Sequence, residues 1–118
     1  MIDIDPVSGV HFVPAGTRAP NPIELLGSVQ MRRLIKALSQ AYDMVILDTP
    51  PVLAVSDALV MVRHVDATVF LIRWEKTRRQ AAVSGLKLAL EAGANLAGVV
   101  LSQVDVKRHA QYDYADSG

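Results

Sequence analysis

Three short, mainly apolar runs divide the chain, and they predict its central strands. They are Met44–Leu47, Ala67–Ile72 and Leu96–Leu101. Because apolar side chains fall on both faces of such a strand, these runs are typical of a parallel sheet that is covered on both sides. A fourth apolar segment, Val10–Val13, predicts a short strand at the edge of the sheet.

The segments between these runs carry apolar residues at intervals of three and four, which is the spacing of amphipathic helices. The predicted helices span residues 21–42, 56–64 and 77–93. Asn21 and Pro22 favour the start of the first helix, because they are an N-cap residue followed by proline at the first helical position. Ser56 or Asp57 is the expected cap of the second helix, and Thr77 that of the third.

Alternation of strands and helices predicts an α/β fold, a parallel sheet flanked by helices. The length of 118 residues suits one domain. We assign residues 1–104 to this domain and residues 105–118 to a polar tail that contains tyrosine.

The composition narrows the possible functions. Hydrophobic residues make up 51% of the chain, so a packed core is expected. Twelve basic residues balance twelve acidic ones, which argues against a nucleic-acid partner. The chain has no cysteine, and its three histidines are too far apart in sequence to suggest a metal site. No apolar run approaches the roughly 20 residues that cross a bilayer, so we expect a cytoplasmic protein.

Ligands of open α/β sheets bind beyond the carboxyl ends of the strands, so the residues there are the candidates for chemistry. Asp48 is the most informative of them, because it ends a run of four apolar residues. A carboxylate in this position is typical of a Walker B strand, which holds a water molecule bound to Mg²⁺. The alternative is an aspartate that caps the next turn. Thr49 is likewise either a second cofactor-binding residue or a turn cap.

The stretch from Tyr42 to Ala58, YDMVILDTPPVLAVSDA, resembles the Walker B region of the bacterial tyrosine kinases that control capsule and exopolysaccharide synthesis. NPIELL at 21–26 and GVVLSQVD at 98–105 extend the resemblance in the same order, as does the tail with Tyr112 and Tyr114. DTPP alone is less specific, because the chromosome-partition ATPases of the same deviant-Walker class share it.

The resemblance implies the C-terminal half of a deviant-Walker P-loop domain and an ATP-dependent protein-tyrosine kinase. It implies that Asp48 is the catalytic acid, which contacts Mg²⁺ through water, and that Thr49 helps to bind the cofactor. Tyr112 and Tyr114 would be the phosphoacceptors. The implied partners are other kinase subunits and a membrane-anchored module that determines polysaccharide chain length, at the inner face of the plasma membrane.

The family's P-loop, G-x-x-x-x-G-K-[S/T], does not occur in the 118 residues. It would precede Met1, and the family's tail usually continues beyond Gly118, so the sequence resembles a domain cut at both ends. We therefore expect that this chain alone does not bind Mg·ATP productively and is inactive. An apolar strand that lacks its neighbours also predicts self-association.

Three other functions remain as alternatives, and one of them is a non-catalytic remnant or regulatory module that docks on intact kinase subunits. A phosphoacceptor receiver domain has a similar length and an aspartate after a central strand, but it needs an acidic pair and a Lys-Pro sequence that this chain lacks. Acetyl phosphate would label Asp48 only in a receiver. A partition-type ATPase fragment would share DTPP, but it has no reason to carry tyrosines in a polar tail.

Overall fold

The structure is a computed structural model that describes residues 2–14, 16, 20–52, 57–108 and 110. Its elements follow in chain order: β1 (Asp3–Ile4), β2 (His11–Phe12), α1 (Pro22–Leu26), α2 (Val29–Ala41), α3 (Asp57–Met61), β3 (Thr68–Arg73), α4 (Arg79–Glu91) and β4 (Leu96–Ser102).

Strands β3 and β4 form a parallel pair, which confirms two of the predicted strands. Their register joins Phe70 to Val99 and Arg73 to Ser102, with an irregularity between Thr68 and Val69. Helix α4 connects them and ends at Glu91, and Gly93, two residues later, has a φ of +97°, a backbone conformation that favours glycine. The chain therefore has the predicted α/β arrangement, a parallel sheet flanked by helices.

The predicted strand Met44–Leu47 is wrong as a paired element. Residues 44–50 have no regular secondary structure and make no backbone hydrogen bond with another residue that the structure describes. Met44 is 77% exposed and Ile46 is 82% exposed. The sequence has the composition of a buried strand, but no described strand lies alongside to complete the ladder.

The predicted edge strand near Val10 forms, but it belongs to a separate antiparallel pair. Strand β2 pairs with β1, with Ile4 opposite His11. The turn between them is closed by Asp5, which accepts hydrogen bonds from the backbone N–H of Ser8 (2.9 Å) and from its hydroxyl. Strand β1 lies in a polar segment, rich in turn-forming residues, whose sequence predicts a turn and not a strand.

The single helix predicted over residues 21–42 is two helices, α1 and α2. The break is at Ser28, whose hydroxyl accepts from the Met31 N–H (3.2 Å) and donates to the Leu25 carbonyl (2.6 Å). Asn21 occupies the predicted N-cap of α1 but makes no side-chain capping bond. Two bonds from one serine side chain are local chemistry that outweighs a continuous helical pattern.

The other two helices also differ in their limits. Helix α3 ends at Met61, before the predicted His64, and Ser56 lies outside the described residues. Helix α4 begins after Arg78, which makes no side-chain capping bond, so Thr77 is not its cap.

The described core is small. Its buried apolar residues are Ala58, Met61, Val62 and Ala89. The accessible surface is 9678 Å², whereas a compact monomer of 12.8 kDa exposes roughly 6,300 Å². Much apolar surface that would be covered in a compact domain is therefore open here. No helix among the described residues is long and apolar enough to cross a membrane.

Candidate functional site at the carboxyl edge of the sheet

The carboxyl edge of the β3–β4 pair is held by hydrogen bonds across the two strand ends. The Trp74 N–H donates to the Ser102 carbonyl (3.0 Å), and the Ser102 hydroxyl donates to the Ile72 carbonyl (3.4 Å). The chain then turns away from both strands through residues with positive φ, Glu75 at 60° and Gln103 at 56°. The two strands therefore end beside each other, with Arg73 paired to Ser102.

Asp48 and Thr49 do not belong to this hydrogen-bonded edge. Both are exposed and lie in the segment after Leu47 that has no regular secondary structure. Asp48 makes no hydrogen bond or ion pair with any residue in the described ranges, so no such bond joins it to Arg73 or Ser102. Within those ranges, no three His, Asp or Glu side chains converge as a metal site would require.

The residues present do not by themselves fit Mg·ATP. The candidate site offers one exposed carboxylate and one neighbouring hydroxyl. Mg²⁺ is held in proteins by one or two carboxylates together with substrate phosphates. Those phosphates need a cradle of backbone N–H groups and a lysine, and the 118 residues contain no P-loop motif. No phosphoryl-transfer step therefore follows from this geometry alone.

Tyr112 and Tyr114, the predicted phosphoacceptors, lie outside the described residues. The chain that leads to them is described without a gap as far as residue 108, and again at residue 110. The Asp105 carboxylate accepts from the N–H groups of Lys107 (3.0 Å) and Arg108 (3.3 Å), so it caps the helical turn that begins at Val106.

Sequence reasoning missed a cluster that joins this turn to the end of β3. Arg108 Nη1 lies 2.8 Å from Glu75 Oε2, and its guanidinium carbon lies 5.7 Å from the centroid of the Trp74 ring. Trp74 and Arg108 are 34 positions apart, and no local pattern connects them. The positive φ of Glu75, which turns the chain after β3, has no sequence signal either, because glycine is the usual residue there.

Relatives of known function cover almost the whole chain. The chain is 36% identical to the tyrosine-protein kinase YwqD of Bacillus subtilis over 105 residues, and this match covers 89% of the chain and 44% of YwqD. It is 37% identical to the tyrosine-protein kinase Etk of Escherichia coli K12 over 107 residues, and this match covers 90% of the chain and 15% of Etk. Its homologues are bacterial tyrosine-protein kinases. No protein-family model matches the chain.

Solved structures of kinase domains agree with these relatives. The kinase domain of VpsO superposes with a TM-score of 0.80 at 32% identity, over 88% of this chain and 51% of that domain. The BceF tyrosine kinase domain superposes with a TM-score of 0.75 at 36% identity, and the match covers 85% of this chain and 41% of that domain. The chain therefore has the fold of part of a bacterial tyrosine kinase domain, and it spans about half or less of each relative it matches.

Proposed function

We propose that these 118 residues are the Walker B portion of a bacterial tyrosine kinase domain. In this proposal Asp48 is the acid of a Mg·ATP site whose P-loop is supplied by residues outside these 118. Thr49 supports the cofactor beside it, and Tyr112 and Tyr114 accept the phosphoryl group. The observation that carries the proposal is the likeness to kinase domains in both sequence and fold, at 32–36% identity and TM-scores of 0.75–0.80.

The exposed apolar segment before Asp48 supports the proposal that residues outside these 118 complete the site. The apolar segment that leads to Asp48 has exposed side chains at Met44 and Ile46 and backbone groups without partners in the described residues. Apolar strands with free edges bind further strands. Strands packed beside residues 44–47 would fix the backbone before Asp48 and so hold its carboxylate at a defined place. A catalytic group needs this kind of positioning before it can contribute to phosphoryl transfer.

Nucleotide binding by the isolated chain tests the first half of the proposal. We expect calorimetric titration with Mg·ADP to give no binding heat up to millimolar nucleotide, because nothing in the chain matches a phosphate cradle. Micromolar binding that is lost in Asp48→Ala would contradict the proposal, since the chain would then hold the phosphates itself.

A chimera tests the second half. In it, this chain replaces the matching portion of the VpsO kinase domain, and tyrosine phosphorylation is followed with labelled ATP. We expect the chimera to be active and Asp48→Asn to lower its rate by about 10- to 100-fold, which is the usual cost of losing a residue that orients a metal site. Asp43→Asn is the matched control, because Asp43 is an exposed carboxylate five residues earlier.

The tail is tested in the same chimera. Tyr112→Phe together with Tyr114→Phe should remove tail phosphate, as read by mass spectrometry of the last peptide, and should leave the phosphorylation of an added tyrosine peptide intact. An active chimera in which Asp48→Asn and Asp43→Asn behave alike would refute the role of Asp48. Tail phosphate that persists in the double Phe variant would refute the acceptor assignment.

The proposal extends to partners as the family resemblance implies them. The chain would act beside kinase subunits and a membrane-anchored module that sets polysaccharide chain length, on the cytoplasmic face of the membrane. Co-purification of the tagged chain with such a module from its own cell membranes is the test. Recovery of the chain without that module would count against the assignment.

A further inference from the structure

Residues 105–108 are attached to the end of β3 by contacts that neither the fold nor the proposed chemistry requires. The Arg108 guanidinium forms an ion pair with Glu75 at 2.8 Å and lies 5.7 Å from the centre of the Trp74 ring. The Glu75 side chain is 28% exposed, so the pair is partly shielded from water. One arginine therefore makes two different kinds of contact with two consecutive residues.

The base of this cluster is fixed to the sheet. The Trp74 N–H bonds to the Ser102 carbonyl, and the tight turn of residues 73–77 is closed by bonds from Lys76 and Thr77 to the Arg73 carbonyl. On the other side, the Asp105 cap fixes the backbone of Lys107 and Arg108. Both halves of the contact are thus held before the side chains meet, which lowers the entropy lost on forming it.

We propose that Trp74, Glu75 and Arg108 form a tail clamp: they fix the point at which the chain beyond residue 108 leaves the carboxyl edge of the sheet. In relation to the proposed phosphoacceptors, on which this part rests, they are positioning residues. Tyr112 lies four residues beyond Arg108, so covalent geometry confines it to about 14 Å from that point. Without the clamp the tether would begin at Ser102, ten residues before Tyr112, and its reach would grow to about 35 Å.

The shorter tether has a kinetic consequence. The accessible volume scales with the cube of the reach, so the clamp raises the local concentration of Tyr112 near its anchor by about 15-fold. An acceptor held in this way is phosphorylated efficiently only by a site within that radius. The clamp thereby selects which site the tail can reach, without contacting the site itself.

Protease protection of the full chain tests the clamp without any kinase activity. Trypsin cleavage after Lys107, followed by mass spectrometry, should be about 3- to 10-fold faster in Glu75→Gln, in Trp74→Leu and in Arg108→Gln. The matched control is Glu91→Gln, an exposed glutamate at the end of α4. Circular dichroism should show the same melting temperature for Glu75→Gln and for Glu91→Gln.

A charge swap makes the test decisive. Glu75→Arg combined with Arg108→Glu restores an ion pair and should recover most of the protection that is lost in Glu75→Arg alone and in Arg108→Glu alone. Because the residue after Lys107 changes the intrinsic rate of trypsin, each cleavage rate is divided by that of an unstructured peptide with the same residues around the bond. Equal cleavage rates in all variants, or a swap that protects no better than the single variants, would overturn the clamp.

The active chimera distinguishes this proposal from the function on which it rests. Glu75→Gln should slow phosphorylation of Tyr112 by about 3- to 10-fold and leave the rate on an added tyrosine peptide unchanged. A change in both rates would mean that Glu75 acts on the site itself and would overturn its role as a positioning residue. If no tyrosine in the tail is phosphorylated, the proposed function fails while the protease result still decides the clamp.

Discussion

The β3–β4 pair and the segment 44–50 have similar sequences and different structures. Both are rich in branched apolar residues, and both lead into polar residues expected at the edge of a sheet. Strand β3 is hydrogen-bonded to β4 along six residue pairs. Residues 44–50 have no regular secondary structure and are bonded to no described strand. An apolar run alone therefore does not make a strand, because a strand also needs a neighbour to pair with.

The hairpin β1–β2 shows that burial is not what separates the two regions. Its residues are exposed, yet they pair. Their partner lies within ten residues, and the Asp5–Ser8 turn brings it into place. Strand β3 finds its partner through α4. Segment 44–50 has no such partner within the described residues.

The largest expected effect compares equal substitutions in the two regions. Met61→Ala removes a side chain that is 7% exposed and should lower the free energy of unfolding by about 2–4 kcal/mol. Met44→Ala removes one that is 77% exposed and should change it by less than about 0.5 kcal/mol. Urea unfolding followed by circular dichroism measures both. Similar losses of stability in the two variants would show that the Met44 side chain is packed in solution, which would contradict the contrast between an exposed Met44 and a buried Met61.

The second effect concerns association. The isolated chain should self-associate through the exposed apolar segment 44–47, and Ile46→Asp should raise the dissociation constant by about 10- to 100-fold because an apolar contact is lost. Sedimentation velocity over a range of concentrations measures this. Val7→Asp is the control, since Val7 is 94% exposed but lies in the β1–β2 turn. A wild-type chain that stays monomeric at high concentration would contradict the prediction.

The smallest effect tests how the local hairpin is held. Hydrogen bonds from the Ser8 hydroxyl and backbone N–H hold the pKa of Asp5 below its ordinary value. Because the pKa of Asp5 is lowered in the folded chain, its ionised carboxylate stabilises the fold at pH values above the unfolded pKa of about 3.9. This stabilisation is lost as the pH falls through the folded pKa. Ser8→Ala should raise the pKa of Asp5 toward its ordinary value, as measured by NMR titration of that carboxyl. Ser39→Ala, which removes an exposed hydroxyl in α2, should leave that titration unchanged.

The sequence predicted those elements whose partners lie nearby along the chain. Strands β3 and β4 were predicted correctly from their apolar runs, because the chain returns through α4 and places β4 next to β3. The strand at Met44 was predicted wrongly, since its apolar pattern says nothing about whether a neighbour is present. The break between α1 and α2 was missed because the hydroxyl of Ser28 competes locally with a helical pattern that continues across it.

The candidate site divides in the same way. The position of Asp48 at the end of an apolar run is visible in the sequence, and so is the resemblance that gives it a role. Its role in the site stays a prediction, because the described residues bring no other group to it. The contact of Arg108 with Trp74 and Glu75 depends on where β3 ends and where the chain turns, and sequence periodicity contains no information about either.

The serine between α1 and α2 also bears on how the helices pack. Its hydroxyl donates to a carbonyl at the end of α1 and accepts from an N–H at the start of α2, so it marks the end of one helix and the start of the next. Beside it, a Cβ at Gly27 would lie 3.3 Å from the Ile23 carbonyl oxygen and 3.6 Å from Val60. Helix α1 packs against α3 next to this point. A residue with a side chain at position 27 would therefore crowd the Ile23 carbonyl oxygen where the two helices meet.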